Sequence, residues 1–115
     1  TAQSAARELF ATSRRPDAVF VANEHMAFAV MDGLRFELGL KIPEDVSLVG
    51  FDDVPPAAWP AYNLTTFRQR VDVMVAETVT MLTAWIAAKE PETAHVVLQG
   101  ELIIRGSTRR YGDAK

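Results

Sequence analysis

Two adjacent carboxylates, Asp52 and Asp53, follow the apolar run Val-Ser-Leu-Val-Gly-Phe at positions 46–51. An apolar run of this length that ends in turn residues is typical of a buried strand in a parallel sheet. Open parallel sheets bind ligands in the crevice beyond the carboxyl ends of their strands, so Asp52 is the first candidate for a functional side chain. The alternative is that both carboxylates only open the turn toward the following prolines, since Asp is a common turn residue.

A second polar side chain, Asn23, ends the apolar run Ala-Val-Phe-Val-Ala at positions 18–22. If both runs are parallel strands, Asn23 and Asp52 project from the same edge of the sheet. An amide carries a donor and an acceptor and a carboxylate carries acceptors, so the pair suits a ligand rich in hydroxyl groups, such as a sugar. The competing interpretation makes Asn23 a helix N-cap and Asp52 a turn residue.

The sequence lacks the common patterns of catalytic and metal sites. There is no Gly-x-Ser-x-Gly pattern, and Ser47 lies inside a predicted strand. His25 and His95 are isolated and form no His-Glu-x-x-His motif. A glycine-rich phosphate loop is absent, and no further acidic set accompanies Asp52 and Asp53 to hold magnesium. We therefore predict a protein that is not an enzyme, with no metal site and no cofactor.

The elements that must position Asn23 and Asp52 alternate between helix and strand. Helical spacing of apolar residues is found at 4–12 and again at 24–38, where a glycine stops the pattern. Strand-like runs are found at 18–22 and 46–53. This alternation predicts the α/β class, with right-handed βαβ crossovers and a parallel sheet.

The second half of the chain combines extended segments with one long helix. Residues 64–69 are extended by propensity, and residues 71–88 are helical with a broad apolar arc that needs a substantial cover. We expect residues 96–98 and 101–105 to form a last pair of strands. Residues 106–115 are expected to be a polar tail.

Aromatic residues outside the core stripe predict a second buried surface. On the predicted helix 24–38, Phe28 and Phe36 point roughly 100° and 180° away from the stripe at 3.6 residues per turn. Isolated exposed apolar residues are normal on protein surfaces. The loop 57–62 adds a Trp and a Tyr, however, and both are enriched at protein interfaces, so self-association is favoured.

Composition limits the classes of function that remain. The chain has 115 residues, 49% of them apolar, with a net charge of -3 and a pI near 5.3. This is enough for one domain with its own core, and the dispersed Lys and Arg residues argue against a nucleic-acid surface. The absence of cysteine suits a reducing compartment. No apolar run reaches the roughly 20 residues that cross a bilayer and no export leader is visible, so we expect a cytoplasmic protein with no membrane partner.

Four segments of the chain form a recognisable series: PDAVFVANEHMA from Pro16, GLKIPEDVSLVGFDDVP from Gly39, LTTFRQ from Leu64 and GELIIRGSTR from Gly100. Together they resemble the effector-binding domain of the lactose/galactose repressor (LacI/GalR) family. The match covers nearly all of the chain with the usual spacing. GFDDVP followed by LTTxRQ is its specific part, whereas ANEHMA is looser.

The resemblance implies a two-lobed receptor of the periplasmic-binding-protein-like (type I) fold, in which each lobe is a three-layer parallel-sheet structure. Residues 1–115 correspond to the C-terminal part of the effector-binding domain, without most of the first lobe and without the helix-turn-helix domain. A small-molecule effector, a sugar or a related compound, is expected in the cleft between the lobes. A homodimer is expected as well, with operator DNA bound only through the missing N-terminal domain.

The resemblance also assigns roles to single residues. Asn23 and Asp52 match ligand-contacting polar positions, and Val71 matches an apolar or aromatic contact. Gln69 lies in a strand that crosses between the lobes and joins this predicted ligand set. The predicted dimer interface consists of Phe28, Trp59, Pro60 and Tyr62.

Three positions depart from the family pattern. Glu24 stands where Asp is commoner, Arg70 stands where Pro or a smaller residue is frequent, and Val71 offers no ring for stacking on a sugar. In the family, the helix at 71–88 packs with the first lobe. We therefore expect this chain alone to hide the helix by self-association or by non-native packing.

The predicted function is recognition of a small polar effector by a DNA-binding transcriptional regulator, with dimerisation as the route by which binding reaches DNA. The main rival is a periplasmic-type sugar-binding protein of a transport system. A leader peptide would favour that rival and an N-terminal helix-turn-helix would exclude it. An enzyme whose turnover depends on Asp52 is a distant third.

Overall fold

The computed structural model describes residues 1–88, 94–110 and 112. The helices and strands are, in order, α1 (Ala2–Phe10), β1 (Ala18–Phe20), α2 (Glu24–Asp32), β2 (Ser47–Asp52), β3 (Thr65–Arg68), α3 (Val71–Ala88) and β4 (Glu101–Ile103). A π-helical turn, Gly33–Glu37, continues α2, and a 3-10 turn, Pro55–Ala58, follows β2. The predicted α/β alternation is confirmed, with element ends shifted by a few residues.

The four strands form one sheet in the order β1-β2-β3-β4. The pairs β1/β2 and β2/β3 are both parallel, as the alternation of elements predicted. Phe20 is opposite Val49 in the first pair, and Asp52 is opposite Arg68 in the second. This register fixes which side chains share the carboxyl edge of the sheet.

The core lies between α2 and one face of the sheet. Because side chains alternate along a strand, Leu48 and Gly50 share the face on which α2 packs. Burying a side chain such as Leu48, which has no exposed surface, stabilises the fold by about 1.5–3 kcal/mol. The buried apolar residues around it include Ala27, Val30, Met31, Leu34, Val46 and Leu64.

The opposite face carries a row of three phenylalanines across β1, β2 and β3. The ring centroids of Phe20 and Phe51 are 6.5 Å apart in an edge-on arrangement, and those of Phe51 and Phe67 are 5.6 Å apart in a stack. Phe20 remains largely exposed. The sheet therefore presents an aromatic surface that the sequence analysis did not predict.

The chain divides into two compact units, each described here by itself. The first unit is Thr1–Arg68 with Leu102–Lys115, and the second is Gln69–Glu101. In the second unit, α3 has the predicted bounds and buries none of its residues. The expected strand at 96–98 is wrong: this segment has no regular structure, and Val96 and Val97 are exposed. Apolar, β-branched residues do not form a strand without a neighbouring strand to bond to.

The expected polar tail is also wrong for residues 106–110. Ser107 is buried, its hydroxyl donates to the Leu48 carbonyl at 2.6 Å, and it accepts from the Thr65 amide at 2.8 Å. The Arg109 amide donates to the Ser47 hydroxyl at 3.1 Å. These bonds attach the segment to the amino ends of β2 and β3. Most of the residues beyond 110 lie outside the described ranges.

Among the described residues, α3 is the one helix long and apolar enough, by length and composition, to cross a membrane. The sequence analysis expected no apolar run to reach about 20 residues, and this helix has 18. Its polar residues do not interrupt it, because the hydroxyls of Thr78, Thr80 and Thr83 donate to backbone carbonyls of the preceding turn. A core helix of a water-soluble domain meets the same criteria.

Candidate functional site

The structure places Asn23 and Asp52 at the same edge of the sheet. The paired residues Phe20 and Val49 are each three positions before them, so Asn23 and Asp52 lie at the same level beyond neighbouring parallel strands. The Val21 amide still donates to the Val49 carbonyl at 2.9 Å, which continues the pairing past the end of β1. Asn23 is exposed and Asp52 is half-buried, so part of each residue is accessible at this edge.

Asn23 is the N-cap of α2. Its backbone is extended, with φ of -146°, and its side-chain Oδ1 accepts from the Met26 amide at 3.3 Å. The cap bond uses the oxygen of the side-chain amide, and the NH2 group of an Asn carries two further donors. The capping interpretation is therefore correct, whereas ligand contact by the same side chain stays a prediction.

Asp52 and Asp53 form a turn with unusual backbone angles. Their φ values are 117° and 60°, both in the left-handed region that non-glycine residues rarely adopt. Each such residue costs about 1–3 kcal/mol and persists only where its surroundings hold it. Both residues therefore lie where β2 leads into the 3-10 turn, as the turn interpretation expects, but the Asp53 carboxylate also pairs with two arginines. The ligand contact of Asp52 stays a prediction.

Glu24 holds this turn from the neighbouring element. It is the first residue of α2, only 1% exposed, and its Oε1 accepts from the Asp53 amide at 2.8 Å. Its Oε2 accepts from the Val54 amide at 2.5 Å, and its Oε1 also accepts from the Thr66 hydroxyl. A buried carboxylate with three donors is fully compensated for the loss of water. The sequence analysis noted Glu24 only as a departure from the family pattern.

Asp53 joins two arginines that approach the turn from different strands. Its Oδ2 is 2.6 Å from the Nε atom of Arg68, and its Oδ1 is 2.7 Å from an NH2 nitrogen of Arg105. Burial raises the pKa of Asp53, but the hydrogen bonds and charges of Arg105 and Arg68 together outweigh it, so the pKa lies below its ordinary value of 3.8. The pairing of Asp53 with Arg105 was not predictable, because the two residues are 52 positions apart.

The other two predicted ligand residues, Gln69 and Val71, belong to the second unit. Gln69 is half-buried, and Val71, the first residue of α3, is 60% exposed. Their predicted contacts with a ligand stay predictions.

A large cleft of about 1270 Å³ in the first unit lies away from the predicted ligand residues. It is lined by residues such as Val49, Thr65 and Ile104, and by none of the four predicted contacts. Val49 and Thr65 are on the same sheet face as the phenylalanine row, since both alternate in step with Phe51 and Phe67. Within the described ranges, no group of three or more His, Asp or Glu side chains could hold a metal ion.

The residues predicted for the dimer interface differ in exposure. Phe28 is buried, with its ring centroid 4.4 Å from that of Tyr62, whereas Trp59 is 55% exposed and Pro60 is exposed. An Arg35 guanidinium donates to the Ala61 carbonyl at 2.5 Å and attaches the loop to the turn after α2. Phe28 and Tyr62 thus support a loop that exposes residues 58–61, Trp59 and Pro60 among them.

Comparison with known proteins agrees with the fold. The sequence model of the periplasmic binding protein-like domain matches residues 1–108. The chain therefore belongs to the periplasmic binding protein-like family, and its relatives place it in the LacI branch that the four sequence segments indicated. The match includes α3, which is accordingly a helix of this domain.

The relatives are transcriptional regulators. The HTH-type transcriptional repressor PurR of Vibrio campbellii is 33% identical over 110 residues, which are 96% of this chain and 33% of that protein. A LacI family regulator from Lactobacillus casei, solved with bound sucrose, is 30% identical with a TM-score of 0.75, over 93% of this chain and 39% of that one. The regulator CelR, solved with cellobiose, is 33% identical with a TM-score of 0.83, over 92% and 32%.

The chain spans about a third of the length of the PurR repressors that it matches. These relatives are named as repressors and not as enzymes, in agreement with the prediction that the protein is not an enzyme.

Proposed function

We propose that the chain is the effector-binding and dimerisation part of a LacI-type transcriptional regulator, and that its effector is a small polar molecule, most simply a sugar. The observation that carries the proposal is the pair Asn23 and Asp52 at one level of the carboxyl edge of a parallel sheet. Ligands of open α/β sheets bind in the crevice outside this edge.

The choice of a sugar follows from the chemistry of the pair. The carboxylate of Asp52 accepts hydrogen bonds from hydroxyls, and the amide of Asn23 donates to them, so neighbouring hydroxyls of one sugar ring can be bridged. Two structural relatives hold sugars, sucrose in one and cellobiose in the other. Val71 supplies apolar surface without a ring, so affinity for a sugar depends mainly on hydrogen bonds.

In this proposal the effector acts by preferring one arrangement of the two lobes of the full-length protein. The strength of the coupling to DNA can be no larger than the difference in effector affinity between the arrangements. Operator DNA is bound by a helix-turn-helix domain outside this chain, in a cytoplasmic homodimer. The named relatives favour a regulator over a transport-linked sugar-binding protein, because they are repressors and regulators of transcription.

The test is a binding screen of the full-length gene product by thermal shift and calorimetry against cellobiose, sucrose, adenosine and glucose 6-phosphate. We expect one of the two sugars to bind, and Asn23→Ser and Asp52→Asn each to weaken binding about tenfold or more, because each removes a hydrogen bond that a buried ligand cannot replace. Ser can still cap α2, so the Asn23 variant separates ligand contact from capping.

Glu37→Gln is the matched control, because it neutralises an exposed carboxylate that pairs with Arg7 at 3.2 Å, away from the strand ends. The ligand assignment fails if a compound binds and neither site variant changes its affinity. The sugar assignment fails if only adenosine or glucose 6-phosphate binds.

A further inference from the structure

Each of the two proposed ligand residues is followed in the sequence by an acidic residue that the proposed ligand set does not use. Glu24 follows Asn23, and Asp53 follows Asp52. Glu24 is the one that spans the two strand ends, because its side chain starts at the first turn of α2 and ends on the turn after β2. Glu24 follows Asn23 in the sequence and accepts hydrogen bonds from the two amides that follow Asp52, so it connects the two proposed ligand residues.

The three donors that Glu24 accepts from come from two places. The Asp53 and Val54 amides belong to the turn after β2, and the hydroxyl belongs to Thr66 in β3. Both amides belong to half-buried residues, and Glu24 supplies the acceptor that each one uses. The carboxylate therefore helps to hold the φ angles of Asp52 and Asp53, together with the two arginines on the Asp53 side chain.

Gly50 provides the space for this arrangement. A Cβ atom at position 50 would lie 3.2 Å from the Glu24 Cγ atom and 2.9 Å from the Leu64 Cδ2 atom. Because Gly50 has no side chain, the side chain of Glu24 can pack against β2 and reach the turn.

We propose that Glu24 is a positioning residue that fixes the spacing and orientation of Asn23 and Asp52 at the sheet edge, so that both meet one ligand. The inference rests on the proposed ligand function of these two residues. Glu24 itself does not contact the ligand, since its two carboxylate oxygens are occupied by the three protein donors and its side chain is buried.

The experiment is amide hydrogen exchange, followed by mass spectrometry, on the full-length gene product and its Glu24→Gln variant without any ligand. Gln has the same shape but turns one acceptor into a donor that faces an amide N–H. We expect peptides covering 52–55 to exchange about tenfold faster or more, because hydrogen bonds to a charged acceptor are worth at least that factor. Peptides covering the first residues of β2, 47–49, should be unchanged.

Glu37→Gln is the matched control and should leave exchange at 52–55 unchanged, since Glu37 bonds to Arg7 and not to the turn. Thr66→Val is the second variant if Glu24→Gln does not fold. It removes one donor to Glu24 and should accelerate exchange at 52–55 by a smaller factor, whereas Thr66→Ser should restore the wild-type rate.

Two results would overturn the proposal. Exchange at 52–55 that stays within about twofold of wild type would show that Glu24 does not hold the turn. Equal acceleration of 47–49 and 52–55 would show that Glu24 only stabilises the whole unit. Both are independent of the ligand screen, so a failure of the proposed function and a failure of the positioning role can be told apart.

Discussion

Among single residues, Asp53 shows how the sheet edge is fixed electrostatically. Its side chain is 6% exposed, and it bonds to Arg68 at the end of β3 and to Arg105 just after β4. Its pKa lies below the ordinary 3.8 because the two arginines outweigh the effect of burial. A carboxyl group with a lowered folded-state pKa contributes stability above its unfolded pKa and loses that contribution as the pH falls through the folded value.

We predict that Asp53→Asn lowers the free energy of unfolding by about 1–3 kcal/mol at pH 7, because the neutral amide leaves two guanidinium groups without their charged acceptor. The difference from wild type should shrink as the pH falls below about 4, because the unfolded wild-type carboxyl then binds a proton before the folded one does. Urea unfolding of the full-length gene product at pH 7 and pH 3 measures both effects. Glu8→Gln is the control, because that glutamate is exposed on α1. An Asp53→Asn variant that loses stability equally at both pH values would contradict the prediction.

Among the elements, α3 is the one whose apolar surface lacks a cover within its own unit. Five of its six large exposed apolar residues lie on one helical stripe, at spacings of three and four, and Met74 lies beside it. Residues 94–98 lie beside another part of the α3 surface. There they form a cleft of about 250 Å³ with Met74, Thr78 and Met81. The stripe consists of Val71, Val75, Val79, Leu82 and Ile86.

We predict that the 115-residue chain, produced alone, self-associates with increasing concentration because water is excluded from this stripe. The double variant Val79→Gln with Leu82→Gln should shift sedimentation toward the monomer, while Thr80→Gln, outside the stripe, should not. Gln has a good helix propensity, so α3 itself is expected to persist. A monodisperse wild-type monomer at high concentration would contradict the prediction.

For the whole molecule, the proposed route from effector to DNA requires two copies of the chain. We propose that the loop 57–62 forms the dimer interface. The packed rings of Phe28 and Tyr62 and the hydrogen bond from Arg35 to the Ala61 carbonyl hold this loop in place, and Trp59 is exposed on it. Trp is among the residues that dominate interface energies, and a supported loop loses little entropy on association.

We predict that Trp59→Ser raises the dimer dissociation constant of the full-length gene product about tenfold or more, as measured by sedimentation equilibrium. Leu9→Ser, which changes a half-exposed apolar residue of α1 outside the loop, should have no such effect. An unchanged dissociation constant for Trp59→Ser would place the interface elsewhere. Loss of the dimer in both variants would instead indicate a general loss of stability.

The sequence by itself determined the alternation of helices and strands, the parallel sheet, the bounds of α3 and the shared edge of Asn23 and Asp52. These features follow from local patterns: the period of apolar residues, the residues that cap and stop helices, and the rule that parallel strands end at the same edge. The wrong prediction of a strand at 96–98 shows the limit of this reasoning, because a high strand propensity does not supply a neighbouring strand to pair with.

Only the tertiary structure decided which side chains hold the edge together. Glu24 meets the turn at 53–54, Asp53 meets Arg105, and Ser107 meets Leu48 and Thr65 across separations of 29 to 59 residues. No local pattern encodes such partners, because the bonds depend on where the folded backbone brings distant segments and on which buried polar groups lack acceptors there.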